Sequence, residues 1–150
     1  MKITYSVADL VPHSGKMSLL STIVDYGDEW LQAEVHITLD SMFADAHGVP
    51  AWVGLEYMAQ TIAAWAGLQE RLNGGKPKIG LLLGSRKYIC NTDYFALGQT
   101  LMLNVHVEMR AENGLDIFNC EIRGEGIEAS AMVNVFQPDD ADKFLPGAVT

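Results

Sequence analysis

The segment Asp45-Ala-His47-Gly48-Val-Pro50-Ala-Trp52-Val-Gly-Leu-Glu56-Tyr-Met-Ala-Gln60-Thr-Ile-Ala-Ala-Trp65-Ala-Gly-Leu68 decides how the rest of the chain is arranged. A polar loop with one histidine runs into the most apolar stretch of the sequence, and that stretch holds one glutamate and one glutamine. Pro50 suits a helix start. From Ala51 the pattern predicts a helix to about Leu72, where Asn73-Gly74-Gly75 stops it and Lys76-Pro77 prevents resumption. Such a helix of roughly 21 residues is about 31 Å long. A helix that is apolar on nearly every side belongs inside a fold. Glu56 is therefore expected to be buried, and a buried carboxyl needs a partner or a chemical task. Glu56 and Gln60 are four apart and share a face. Ala63 and Gly67 continue that face with small side chains, so a backbone or a thin ligand can pass closely.

Around this helix the sequence alternates with the period of strands. Val7–Lys16 is turn-rich and predicts a short helical turn and loop. Ser18–Tyr26 and Trp30–Leu39 read as strands joined by a turn at Tyr26-Gly27-Asp28-Glu29. In the second, Leu31, Ala33, Val35, Ile37 and Leu39 share the inner face, which leaves His36 outside. After the helix come strands at Ile79–Asn91, Thr100–Arg110, Leu115–Arg123 and Ile127–Gln137, with Thr92–Gly98 as a loop. Gly80 and Gly84 suggest bulges. Leu101, Leu103, Val105, Val107 and Met109 are expected to face in, and His106 and Arg110 out. Glu112-Asn113-Gly114 marks a hairpin. Two strands, one long helix and four strands make an α+β domain over residues 1–150: an antiparallel six-stranded sheet wrapped around one central helix. Residues 138–150 form an acidic tail. A sheet of this kind leaves an edge strand able to pair with a second subunit.

A chain of 150 residues with 49% apolar and 19% charged residues is globular rather than disordered. Its net charge of −9 opposes nucleic-acid binding. The charge is uneven. Residues 71–87 carry Arg71, Lys76, Lys78, Arg86 and Lys87 and no acid, while the remainder has five cations against nineteen acids. That cluster reads as a solvated loop and strand end or as a landing site for an anionic partner. Val49–Leu68 is long enough to span a bilayer, but a charge such as Glu56 inside a span costs about 2.5–3.5 kcal/mol, so no membrane span is expected. Met1–Ser6 has no secretory apolar core, and Cys90 and Cys120 form no CxxC; reduced thiols and a cytoplasmic location are expected.

Several motifs fail on context. Gly124-Glu-Gly126-Ile-Glu-Ala129 fits a dinucleotide fingerprint, but an alternating strand follows where a helix is needed. Pro77 follows Gly75-Lys76, which excludes a phosphate-binding loop. Four scattered histidines, two of them facing out, give no basis for a metal site. What remains is His47, nine positions before Glu56 on the loop that enters the helix, with His13 as a turn residue. A histidine and a carboxyl beside one another suit acid–base work.

Glu56-Tyr-Met-Ala-Gln60 resembles the Glu-Ala-Met-Ala-Gln helix motif of the 3-hydroxyacyl-[acyl-carrier-protein] dehydratases, the FabA/FabZ-like family of hot-dog proteins. Pro50 stands six before Glu56, as the family's helix-start proline does. Leu10-Val-Pro-His13-Ser-Gly-Lys-Met resembles its N-terminal Leu-Pro-His segment, and Phe95-Ala-Leu-Gly98-Gln its turn before the long strand. The family's Gly-His-Phe-Pro loop is longer, and its helix starts Pro-Gly where this chain has Pro50-Ala51. The shortened pattern resembles the ApeP-like branch, linked to aryl polyene lipid synthesis, whose members are expected to pair with a second, related subunit.

The resemblance implies a hot-dog fold and dehydration of 3-hydroxyacyl thioesters on acyl carrier protein. His47 would be the base. Glu56, supplied across a dimer interface, would be the acid, oriented by Gln60. Amides at Gly48, Ala51 and Trp52 would hold the thioester oxygen. Lys76, Lys78, Arg86 and Lys87 would meet the carrier protein or its phosphate. No cofactor is implied beyond the 4'-phosphopantetheine arm that carries the substrate, and no metal. Two other readings stand beside this one: a hot-dog thioesterase in which Glu56 or Asp45 activates water, and a non-catalytic subunit completing a related partner's site.

Overall fold

The structure is a computed structural model that describes residues 5–10, 19–72, 81–110 and 114–136. In chain order these form α1 (Val7–Leu10), β1 (Thr22–Tyr26), β2 (Trp30–His36), β3 (Val49–Pro50), a 3-10 turn (Ala51–Val53) and α2 (Gly54–Leu72). Then follow β4 (Leu81–Cys90), β5 (Tyr94–Phe95), β6 (Thr100–Arg110), β7 (Leu115–Gly124) and β8 (Ile127–Phe136). Six strands make one antiparallel sheet in the order β1-β2-β6-β7-β8-β4, as the alternation predicts. The chain leaves the sheet after β2, runs through α2, and re-enters at the opposite edge with β4. The strands after β4 fill the gap between the two edges. The tail at 138–150, His13 and the hairpin at 112–113 lie outside the described residues.

Alternation places Leu31, Ala33 and Val35 of β2, Leu101, Leu103 and Val105 of β6, Phe118, Cys120 and Ile122 of β7, and Ala129, Ala131, Val133 and Val135 of β8 in the core. Against them α2 buries Tyr57, Met58, Ile62, Trp65 and Leu68. Trp65 meets Phe118 edge-on at 5.3 Å between ring centroids, and its indole N–H donates to the Asp28 carbonyl at 3.2 Å. The small-residue strip works as expected at Gly67, where a Cβ would overlap the Leu10 carbonyl; α1 passes there backbone to backbone. Cys90 and Cys120 are both free thiols, and burial pushes Cys120 up to about 12.

Two inward expectations are corrected. Leu39 is 70% exposed because β2 ends at His36 and the chain turns, with Ser41 N–H donating to the Thr38 carbonyl at 3.0 Å. Met109 is 53% exposed because the β6–β7 register shifts between Val107 and Met109. One unpaired residue reverses the parity of everything after it. Arg110 is exposed, as expected, and its guanidinium lies 4.9 Å over the Trp65 ring, with buried Asp116 as its register partner. Gly84 does stand at a register shift in β4, as expected, while Gly80 is outside the described residues.

Candidate functional site

His47 sits in a tight turn. Asp45 and Gly48 exchange both backbone hydrogen bonds, Asp45 N–H to Gly48 O at 2.9 Å and Gly48 N–H to Asp45 O at 3.1 Å. The Asp45 carboxylate accepts the His47 amide at 2.7 Å, the bond of an Asx turn. Gly48 has φ 118°, which side chains other than glycine's rarely allow, and a Cβ there would overlap the Phe95 carbonyl. β3 then pairs with β5, Val49 opposite Phe95 and Pro50 opposite Tyr94. Ala51 N–H donates to the Asp93 carbonyl at 2.9 Å. The loop that carries His47 is thus zipped to residues 93–95 up to the first turn of the helix. The imidazole itself is exposed, with the Tyr94 ring beside it at 5.4 Å between centroids, tilted by 44°.

From Pro50 the helical segment presents Trp52, Glu56 and Gln60 at intervals of four. Each such step advances about 40° beyond a full turn, so the three rotate from solvent towards the core. Trp52 is 57% exposed and packs on Phe43 at 5.0 Å between ring centroids. Glu56 is exposed within the single chain, which corrects the expectation that its own fold buries it. Gln60 is buried, and its side-chain oxygen accepts the Leu19 amide at 2.8 Å. Among the described residues no hydrogen bond or ion pair joins His47 to Glu56. Of the amides expected at the thioester oxygen, those of Gly48 and Ala51 donate to the Asp45 and Asp93 carbonyls. Trp52 follows at the point where a helix start leaves N–H groups without intrahelical partners.

The sequence reading missed two tyrosines. Tyr88 on the edge strand β4 donates its hydroxyl to the Ala51 carbonyl and packs where any Gly54 side chain would have to go. Burial is the main cause that pushes its phenol strongly upward. Tyr94 lies in the segment read as a loop; a two-residue strand is too short to show a period. A cavity of about 680 Å³ opens beside this end of the helix, with a mixed lining that includes Leu39, Phe43 and Tyr57 and also His36, Thr38 and Asp40.

Of the basic cluster, Lys76 and Lys78 lie outside the described residues, and Arg86 is described only as a backbone position in β4. Lys87 is exposed, with φ 56°. His36 is exposed and bonds Thr100 Oγ1 through Nδ1 at 3.0 Å, and exposed His106 lies 3.3 Å from Glu108, so both are surface residues as expected. Among the described residues no group of three or more His, Cys, Asp or Glu side chains could hold a metal ion. No helix among them is long and apolar enough to cross a membrane.

An antiparallel sheet wrapped on one long central helix is the hot-dog fold. The chain belongs to the ApeP-like dehydratase family, described as ApeP dehydratase, whose model matches residues 5–146. Among solved structures it is similar to the dehydratase heterocomplex ApeI:P of Xenorhabdus doucetiae, with a TM-score of 0.81 at 24% identity over 93% of this chain and 95% of that one. It is also similar to Cj0977, a sigma28-regulated virulence protein of Campylobacter jejuni (TM-score 0.64, 16% identity, 89% and 88% covered). A hypothetical thioesterase of Streptococcus pneumoniae solved with coenzyme A shares the fold at TM-score 0.58, with 11% identity over 77% and 86% of the two chains. No curated protein matches the chain.

Proposed function

We propose that this chain is a hydro-lyase that converts 3-hydroxyacyl thioesters on acyl carrier protein to 2-enoyl thioesters, in fatty-acid or aryl-polyene-type lipid synthesis. The observation that carries the reading is the pinned turn in a member of a dehydratase family: it holds the backbone of an exposed histidine just before the helix start, nine residues ahead of an exposed carboxyl. His47 takes the C2 proton as the C2–C3 double bond forms. The C3–O bond breaks, and Glu56 gives its proton to the departing hydroxyl, which leaves as water. The proton on His47 then returns to Glu56 through solvent. Trp52 N–H supports the thioester oxygen as negative charge develops there. The acyl chain runs past Phe43, which packs on Trp52, into the cavity bounded by Phe43 and Tyr57. Lys76, Lys78, Arg86 and Lys87 meet the acidic carrier protein or the phosphate of its 4'-phosphopantetheine arm.

Because Glu56 is exposed in the single chain, the reading pairs this chain with a second subunit that covers it. The heteromeric assembly of ApeI:P supports a related dehydratase-like subunit as that partner, and a second copy of this chain is the other form the pairing takes. Asp45 is a poor candidate for activating water, since its carboxylate already caps the His47 turn. Offering a 3-hydroxyacyl thioester on carrier protein to the chain with its partner separates the readings. A dehydratase forms a conjugated enoyl thioester; a thioesterase releases free thiol. Glu56→Gln is expected to lower enoyl formation by about 10²–10⁴-fold, and full activity in that variant removes Glu56 from the acid's role.

A further inference from the structure

We infer that Tyr94 is a positioning residue for His47, its ring serving as the fixed surface that holds the imidazole at the mouth of the site. The role in turnover rests on the reading of His47 as the base. The His47 turn is held through its backbone, by Asp45 and by the Asp45–Gly48 pair, and its ring is held by neither. An exposed ring free to turn changes rotamer on the picosecond to nanosecond scale, and a base must be placed to within about an ångström to act efficiently. The imidazole meets the Tyr94 ring at 5.4 Å between centroids, a distance in the range of aromatic pairs, with the planes tilted by 44°.

The backbone that carries the Tyr94 ring is held at three points. Its backbone pairs with Pro50, next to the turn it serves. Its carbonyl accepts the Thr92 hydroxyl at 3.0 Å. Its neighbour Phe95 is fully buried, with the Tyr57 ring 6.0 Å away. The same two-residue ladder that fixes the loop therefore also fixes the backbone from which the Tyr94 ring reaches the loop's histidine. The residues between His47 and Glu56 are taken up by Gly48, β3, the 3-10 turn and the first residues of α2, and Tyr94 meets the imidazole from outside that segment.

The test uses full-length chain with labelled histidine, the His47 ring signals being assigned by their loss in His47→Ala. In the wild-type chain these signals carry the ring-current shift of a neighbouring aromatic. Tyr94→Ala is expected to remove that shift and Tyr94→Phe to keep it, with circular dichroism confirming the fold; Tyr94→Leu takes the place of alanine if that variant does not fold. In turnover by the assembled enzyme, Tyr94→Ala or Tyr94→Leu is expected to lower kcat about 10- to 100-fold with KM unchanged, while Tyr94→Phe retains wild-type kcat. His47 signals that do not move in Tyr94→Ala or Tyr94→Leu, or an undiminished kcat, overturn the inference. A wild-type assembly that dehydrates no hydroxyacyl thioester contradicts the proposed function alone, since the ring-current measurement still upholds or overturns the hold of Tyr94 on His47.

Discussion

Gly48 is the most constrained residue of the site. Its φ of 118° and the Phe95 carbonyl behind it both require the absence of a Cβ. Gly48→Ala is expected to lose about 1–3 kcal/mol of stability, read as a lower denaturant midpoint, and to weaken turnover by loosening the His47 turn. A variant as stable and active as wild type contradicts the pinned-turn description. Asp116 gives a pH prediction. Burial raises its carboxyl above the ordinary value, with Arg110 acting in the opposite direction. The folded chain then keeps a proton that the unfolded chain has already released. Its contribution to stability falls as pH rises through that window and is least favourable above it. Asp116→Asn is expected to raise the melting temperature at neutral pH and flatten its pH dependence; a wild type that gains stability from this residue across the same rise has the sign reversed. At this scale the outward placement of His36 and His106 was legible, because strand alternation fixes which side chains leave the core. That the Gly48 and Ala51 amides are occupied was not, since their partners Asp45 and Asp93 are fixed by a turn and by a two-residue ladder that leave no periodic signal.

Among the elements, α2 carries both the core and the site. Its Trp65 against Phe118 on β7 joins helix to sheet at the centre of the fold. Phe118→Ala is expected to cost about 3–5 kcal/mol, measurable by denaturant unfolding, because both rings are buried and the space cannot collapse fully. Helix and strand positions were readable to within a few residues, as their apolar periods run over whole elements. The register shift in β6 was not, because a bulge is one residue long and the alternation before it continues to look regular up to Met109. The burial of Glu56 was misjudged for a related reason. An apolar helix implies that something covers each face, but it does not say whether the cover is the chain itself. The start of α2 leaves Trp52 and Glu56 open together.

For the whole molecule, the order of two strands, a helix and four strands defined the hot-dog architecture, and β1 and β4 form its edges. Tyr88 ties the β4 edge to the Ala51 carbonyl, so an edge strand of the sheet is linked directly to the turn that starts α2. On the proposed function a subunit paired along β4 would reach the helix start through that hydroxyl, and Tyr88→Phe is expected to lower turnover more than it lowers stability. An unchanged rate in that variant, measured on the assembled enzyme, severs the link. The most direct test of the central claim, that this chain supplies the base, is the rate of enoyl thioester formation by His47→Ala assembled with an unaltered partner subunit. The account predicts that enoyl product falls to background while the complex still assembles; formation at the wild-type rate would contradict it and make the chain a supporting subunit.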